Sequence, residues 1–510
     1  MSNAAQAFWD HATARPERVA LRGASDPWTY GHLQERAAAV AARLGAAGVE
    51  PGDRVLLVAP SVPEFAGAYY GIHAAGAVAV TANTMSTRPE LEYVGGDAGV
   101  KLALAWHEVT AAAGAAAAAL GVGFWTLDPD LAGFDAATIE QPHDVESTDN
   151  AVILYTSGTT GRPKGAQLTH ANLIACAEVF VEVLEVTPED RMGTALPLFH
   201  VFGQAVVMGT TLHAGASLSI LARFDATELL HMLRRDTLTM MSGVPTMWNA
   251  MLHAAGDDAS PADFASLRLA ASGGAAMPAE VMRAFEERFG AKILEGYGLS
   301  ETTGAATFNG LHRERKPTCV GIALPRCAVE IRGGDGAAVP TGEIGEVCIK
   351  GPVVMSGYWN RPEATAEALT EDGWLKTGDL GTKDEDGDVR IVDRVKDLII
   401  RGGYNVYPRE VEEVLYEHPD VVEVAVVGVP DDHFGEEVAA VLALAPGAAF
   451  DREAFRGWAK ERLSAYKVPR LFQVVDTLPK GPTGKILKRA IDTDGVRGAA
   501  GAGAGTGATS

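Results

Sequence analysis

The chain has 510 residues, 47% of them hydrophobic and 21% charged, with a formal net charge of −23. The length has room for roughly three domain-sized units, and the composition suits ordinary globular cores. So acidic a chain repels nucleic acid and anionic membrane surfaces, so neither is expected as a partner. Four cysteines, Cys176, Cys319, Cys327 and Cys348, show neither zinc-ligand spacing nor a secretory disulfide pattern. No basic region followed by an apolar core opens the chain, and the alanine-rich run 111–120 is too short to span a bilayer. A soluble cytoplasmic protein without integral membrane contact is expected.

In chain order, Thr29 is placed to cap a helix in which Leu33, Ala37, Val40 and Leu44 recur at helical spacing. Gly48 ends it, and a turn at 51–53 leads to a strand at 54–59. A helix at 63–73, a strand at 77–80 and another at 102–106 continue the alternation, which predicts an α/β fold with largely parallel sheets.

The apolar run 151–154 reads as a buried strand and leads into Thr156, Ser157, Gly158, Thr159, Thr160, Gly161 and Lys164-Gly165. Glycines that let backbone approach a ligand, four hydroxyls and one ammonium make a cradle for phosphate oxygens. It is not a Walker loop, because two residues separate Gly161 from Lys164 and no Ser or Thr follows. Downstream, Phe199, His200, Val201 and Phe202 sit on a loop broken by Pro197, either as packed core or as a pocket wall. A strand at 239–243 ends at Val244. Another at 267–272 runs into Gly273-Gly274, with a helix from Pro278.

Glu295-Gly296-Tyr297-Gly298 and Ser300-Glu301 form the second dense motif. Tyr297 can stack on a flat base, and Glu301 offers oxygen to a hard cation such as Mg²⁺. Short β-rich pieces over 320–357 suggest a small barrel. Asp379, Arg394 and Lys396 follow. A compact tail unit then runs to about 491, with a helix at 408–417, a β pair at 421–429 and 437–444, and a helix at 452–464. The third motif, 478–488, carries Lys485 after a glycine turn.

These three motifs, in this order and over nearly the whole chain, resemble the adenylate-forming superfamily, in its acyl-CoA synthetase branch. The resemblance implies a large amino-terminal domain, 1–395, with two parallel-type α/β subdomains and a small β-barrel. It implies a small mobile α+β domain, 396–491, while composition makes 492–510 a disordered Gly/Ala tail. It further implies that a carboxylic acid is joined to AMP from ATP with release of pyrophosphate, and is then passed to CoA.

By the same resemblance Lys485 is the catalytic lysine, with Glu301 and His200 beside it. ATP is held by 156–161, Lys164, Gly274, 295–298, Ser300, Asp379 and Arg394, and Mg²⁺ by Glu301 and Thr156. Phe199, His200, Val201, Phe202, Val244 and Gly273 border the acyl group. Lys396 is the hinge, and Gly402, Gly403, Tyr466 and Lys467 flank the CoA channel. The uncharged pocket positions favour an aliphatic or aromatic tail, and the small residues Gly304, Ala305 and Ala306 leave room for a medium- or long-chain fatty acid; an aryl acid, a small dicarboxylate, a carrier-protein acceptor and a homodimer remain open.

Overall fold

The computed structural model describes residues 2–134, 138–156, 162–256, 260–431, 433–481 and 483–502. Strands Gly123–Leu127, Val100–Trp106, Arg54–Val58, Val78–Ala82 and Asn150–Thr156 lie side by side and parallel in a seven-stranded sheet. Lys164–Thr169 and Gly357–Tyr358 extend it antiparallel. Every residue of Val78–Ala82 is buried, as expected where helices cover both faces of a parallel sheet. The helix Tyr30–Ala46 begins where the Thr29 hydroxyl accepts the His32 N–H, at 3.1 Å. It packs on the helix Pro63–Ala74, which has proline in its first turn.

A second, nine-stranded sheet has Ile293–Tyr297, Leu269–Ser272, Met240–Gly243, Arg191–Thr194, Ser217–Ile220 and Val19–Arg22 as its parallel centre. Between its strands, Phe202–Gly209 winds as a π-helix, which the sequence pattern did not announce. Such wide turns occur mostly at functional positions. The residues just past the carboxyl ends of two of these strands, Val244 and Gly273, face a cavity, where open α/β sheets generally bind ligands.

The small barrel expected after residue 320 takes the form of a four-stranded antiparallel sheet, Ala328–Arg332, Gly345–Lys350, Leu375–Lys383 and Val389–Arg394. The 3-10 turn Val395–Asp397 then leads to a five-stranded sheet. Gly435–Leu444 is its central strand, paired antiparallel with Val421–Asp431 at the edge and parallel with Leu471–Val474. Helices Pro408–Tyr416 and Arg452–Lys460 bury Val411, Leu415, Phe455 and Ala459 in the core of this unit.

The expectation of a disordered tail from 492 fails over its first part. Thr493–Ala502 is helical, with Val496 fully buried beside Ala425, Val441 and Leu478. The Asp492 carboxylate accepts the N–H groups of Asp494 and Gly495 at the start of this helix. A single apolar anchor and an acidic cap outweigh the helix-weakening glycines. Residues 503–510 lie outside the described ones.

Candidate active site

One cavity of about 1620 Å³ collects residues from the large sheets, the antiparallel sheet and the carboxyl-terminal unit. Lys485 enters it from the last of these. It stands on a hairpin in which Lys480 pairs with Ile486, Gly481 N–H donates to the Lys485 carbonyl at 2.8 Å, and Leu487 N–H donates to Pro479. Its side chain passes Gly274, where a Cβ atom would stand 2.9 Å from Lys485 Cε. Gly274 also has φ +79°, so both its backbone and its surroundings call for glycine. Burial, together with the Arg394 charge, pulls the Lys485 ammonium down to about 8, partly opposed by Asp379.

Across the cavity, Glu301 Oε1 accepts the Tyr358 hydroxyl at 2.8 Å and lies 3.4 Å from Thr156 Oγ1. Lys164 Nζ sits 5.3 Å from the centre of the Tyr358 ring. A carboxylate and a hydroxyl converging in this way suit a hard divalent cation. Ser157, Gly158, Thr159, Thr160 and Gly161 lie outside the described residues.

A second group gathers around Asp379. Asp379 is nearly fully buried, accepts the Tyr297 hydroxyl at 2.6 Å and pairs with Arg394 Nε at 3.0 Å. Burial and the Asp379 charge push the Tyr297 phenol well up, so it stays a donor. Glu295 accepts the Met277 N–H through Oε1 at 3.1 Å, while its buried Oε2 has no partner. Burial raises its carboxyl to about 7, and the charge of Arg409, from the carboxyl-terminal unit, works against the rise.

Phe199, Val201, Phe202, Val206, Val244 and Phe308 line the cavity as an apolar wall beside His200. His200 Nδ1 accepts the Phe202 N–H at 3.3 Å, which leaves the proton of a neutral ring on Nε2. Burial, and then the Lys485 charge, depress His200 to about 3, so it stays neutral.

Lys164, Gly273, Gly274, Glu295, Gly296, Tyr297, Gly298, Ser300, Glu301, Asp379, Arg394, Lys396 and Lys485 all line this cavity. Gly402, Gly403, Tyr466 and Lys467 do not. Gly402 and Gly403 form a left-handed turn, Tyr466 stacks on Tyr404 at 5.0 Å, and Lys467 pairs with Glu410 at 2.5 Å. Arg223, the nearest candidate in the sequence for a cation facing a second carboxylate, is exposed and also outside the lining. Sequence reading missed Tyr358 and Arg409. An aromatic after a glycine and a helix-start arginine carry no local sign of what they meet in space.

The AMP-binding enzyme family model matches residues 8–359, and the model for its carboxyl-terminal domain matches 410–485. The chain belongs to the AMP-binding enzyme family. It is an enzyme of the AMP-forming acyl-CoA ligase group. A feruloyl-CoA synthase of an Amycolatopsis species is 39% identical over 96% of this chain and 99% of its own length. A long-chain-fatty-acid–CoA ligase of Bacillus subtilis is 35% identical, over 94% and 92%. MatB from Rhodopseudomonas palustris is 36% identical over 96% and 98%, with a TM-score of 0.89 for its ATP-bound crystal structure and 0.80 for its apo structure. This family member therefore sits nearer the ATP-bound form of that relative. Among the described residues, no helix is long and apolar enough to cross a membrane.

Proposed function

We propose that this ligase activates an uncharged-tail monocarboxylic acid, a medium- or long-chain fatty acid, as its acyl-adenylate, and transfers the acyl group to CoA. The observation that carries the reading is Lys485 of the carboxyl-terminal unit seated against Gly274, in one cavity with Glu301, Asp379 and Arg394. A carboxylate oxygen bonds to the α-phosphorus of ATP and the bond to pyrophosphate breaks. The thiol sulfur of CoA, having lost its proton to solvent, then bonds to the acyl carbon, and the acyl C–O bond breaks with AMP keeping the electron pair. The first step gathers negative charge at phosphorus, and Lys485 is placed to meet it. Tyr297 and Glu295 frame the base, and Asp379 accepts from the ribose hydroxyls. Neutral His200 offers its Nε2 proton to the substrate carboxylate or to the acyl-adenylate anhydride. Glu301 and Thr156 would hold Mg²⁺, which supplies further charge neutralisation when bound.

The apolar wall presents no charged side chain to the acid's tail, so a second carboxylate would lack a partner there. We place the domain boundary at Lys396, in the turn that links the antiparallel sheet to the small unit. Gly402, Gly403, Tyr466 and Lys467 meet the CoA path after rotation about that turn. An aryl acid is the second reading, favoured by the similarity to the feruloyl-CoA synthase. Pyrophosphate release and CoA-thioester formation across fatty, aryl and dicarboxylic acids test both. Selective turnover of a dicarboxylate, or release of ADP, overturns the proposal.

A further inference from the structure

The helix Pro245–Ala254 starts at the carboxyl end of a parallel strand and borders the cavity with Thr246 and Asn249. These two are three residues apart, so they lie on one face of the helix. Both reach backbone of the carboxyl-terminal unit. The Thr246 hydroxyl donates to the Gly484 carbonyl at 2.9 Å, and Asn249 Nδ2 donates to the Val422 carbonyl at 3.2 Å. Gly484 is the residue before Lys485. It has φ +80°, and a Cβ there would stand 3.1 Å from Thr246 Oγ1 and 3.3 Å from Val244 Cγ2. The hairpin tip is thus pressed against the large unit with little clearance. Val422 lies in the edge strand of the small sheet, next to Glu423, which pairs with Lys480 of the same hairpin at 2.5 Å. One contact grips the tip and the other grips the strand that backs its base.

We propose that Thr246 and Asn249 are positioning residues that dock the Lys485 hairpin for adenylate formation and must release it before thioester formation. The inference rests on the two-step reading above. Neither side chain has to touch a reacting atom. Each fixes a carbonyl of the mobile unit, so the pair acts on where the Lys485 ammonium stands. Two hydrogen bonds of ordinary strength are enough to bias a two-state arrangement and few enough to break each turnover.

The test uses the full chain with Thr246→Val, Asn249→Ala, the double variant, and Thr246→Ser as the variant that keeps the hydroxyl. Single-turnover pyrophosphate release should fall on the order of tenfold in the double variant, as the loss of about one to two hydrogen bonds implies. Thioester formation from supplied acyl-adenylate and CoA should stay within about twofold of wild type, and Thr246→Ser should retain most of the first step. Without any substrate, hydrogen exchange over 483–489 should quicken in the double variant, while the thermal midpoint holds. Equal loss in both half-reactions, or unchanged exchange at the hairpin, overturns the docking role. If wild type forms no adenylate with any acid and the exchange difference persists, the docking contact stands and the functional reading falls instead.

Discussion

Removing the Lys485 ammonium should slow one half-reaction and stabilise the fold at the same time. Its pKa of about 8, against an ordinary 10.5, means that the folded protein binds fewer protons than the unfolded chain between those values. Stability contributed by this group therefore rises with pH through that window, and below about 8 the buried charge is a standing penalty. A shift of that size corresponds to at most about 3 kcal/mol. The side chain keeps some exposure, so water screening reduces it to about 1–2 kcal/mol. Lys485→Ala should accordingly raise the thermal midpoint at pH 7, and the gain should shrink through the window and vanish above about pH 10.5. The same change removes a preorganised charge, which costs about 10²- to 10³-fold in rate, or ~2.7–4 kcal/mol. Single-turnover pyrophosphate release should show that loss. Thioester formation from supplied acyl-adenylate should change far less, because the thiol step does not build charge at phosphorus. Equal damage to both steps, or a lowered midpoint at pH 7, refutes the reasoning: Lys485 would then be a fold or CoA contact.

Glu301→Gln keeps an oxygen able to accept from Tyr358 and Thr156, so the melting temperature should barely move while the Mg²⁺ needed for half-maximal rate rises sharply. Normal activity at limiting Mg²⁺ would remove Glu301 from the metal site. Lys396→Pro fixes φ near −65°, a value the 3-10 turn at Val395–Asp397 accommodates. Pyrophosphate release should run near the wild-type rate in one turnover, with bound acyl-adenylate accumulating and little thioester made; wild-type rates in both steps would dispose of the hinge. Glu295 is held protonated up to about pH 7, above its unfolded value, so its share of stability is present at low pH and is lost as pH rises to 7. Glu295→Gln should keep the bond from Met277 and stabilise the protein at pH 8 by up to about 3 kcal/mol relative to its effect at pH 4. An equal shift of the midpoint at both pH values would show that the carboxyl titrates normally.

The sequence by itself determined the local grammar. Thr29 caps its helix, apolar runs such as 151–154 become buried strands, and the glycine-flanked Tyr297 and Glu301 end on the cavity. Such features depend on residues a few positions apart, where periodicity, caps and turns are readable. The tertiary structure alone decided that Lys485 meets Gly274, that Tyr358 hydrogen-bonds Glu301, and that the Arg409 charge acts on a buried Glu295. It also decided that Val496 anchors a helix where composition pointed to disorder, and that Gly402, Gly403, Tyr466 and Lys467 stand outside the cavity in this arrangement. Burial and the charges brought near it set whether a lysine stays charged or a carboxyl stays protonated. Those quantities belong to the folded surroundings of a residue, not to its neighbours along the chain.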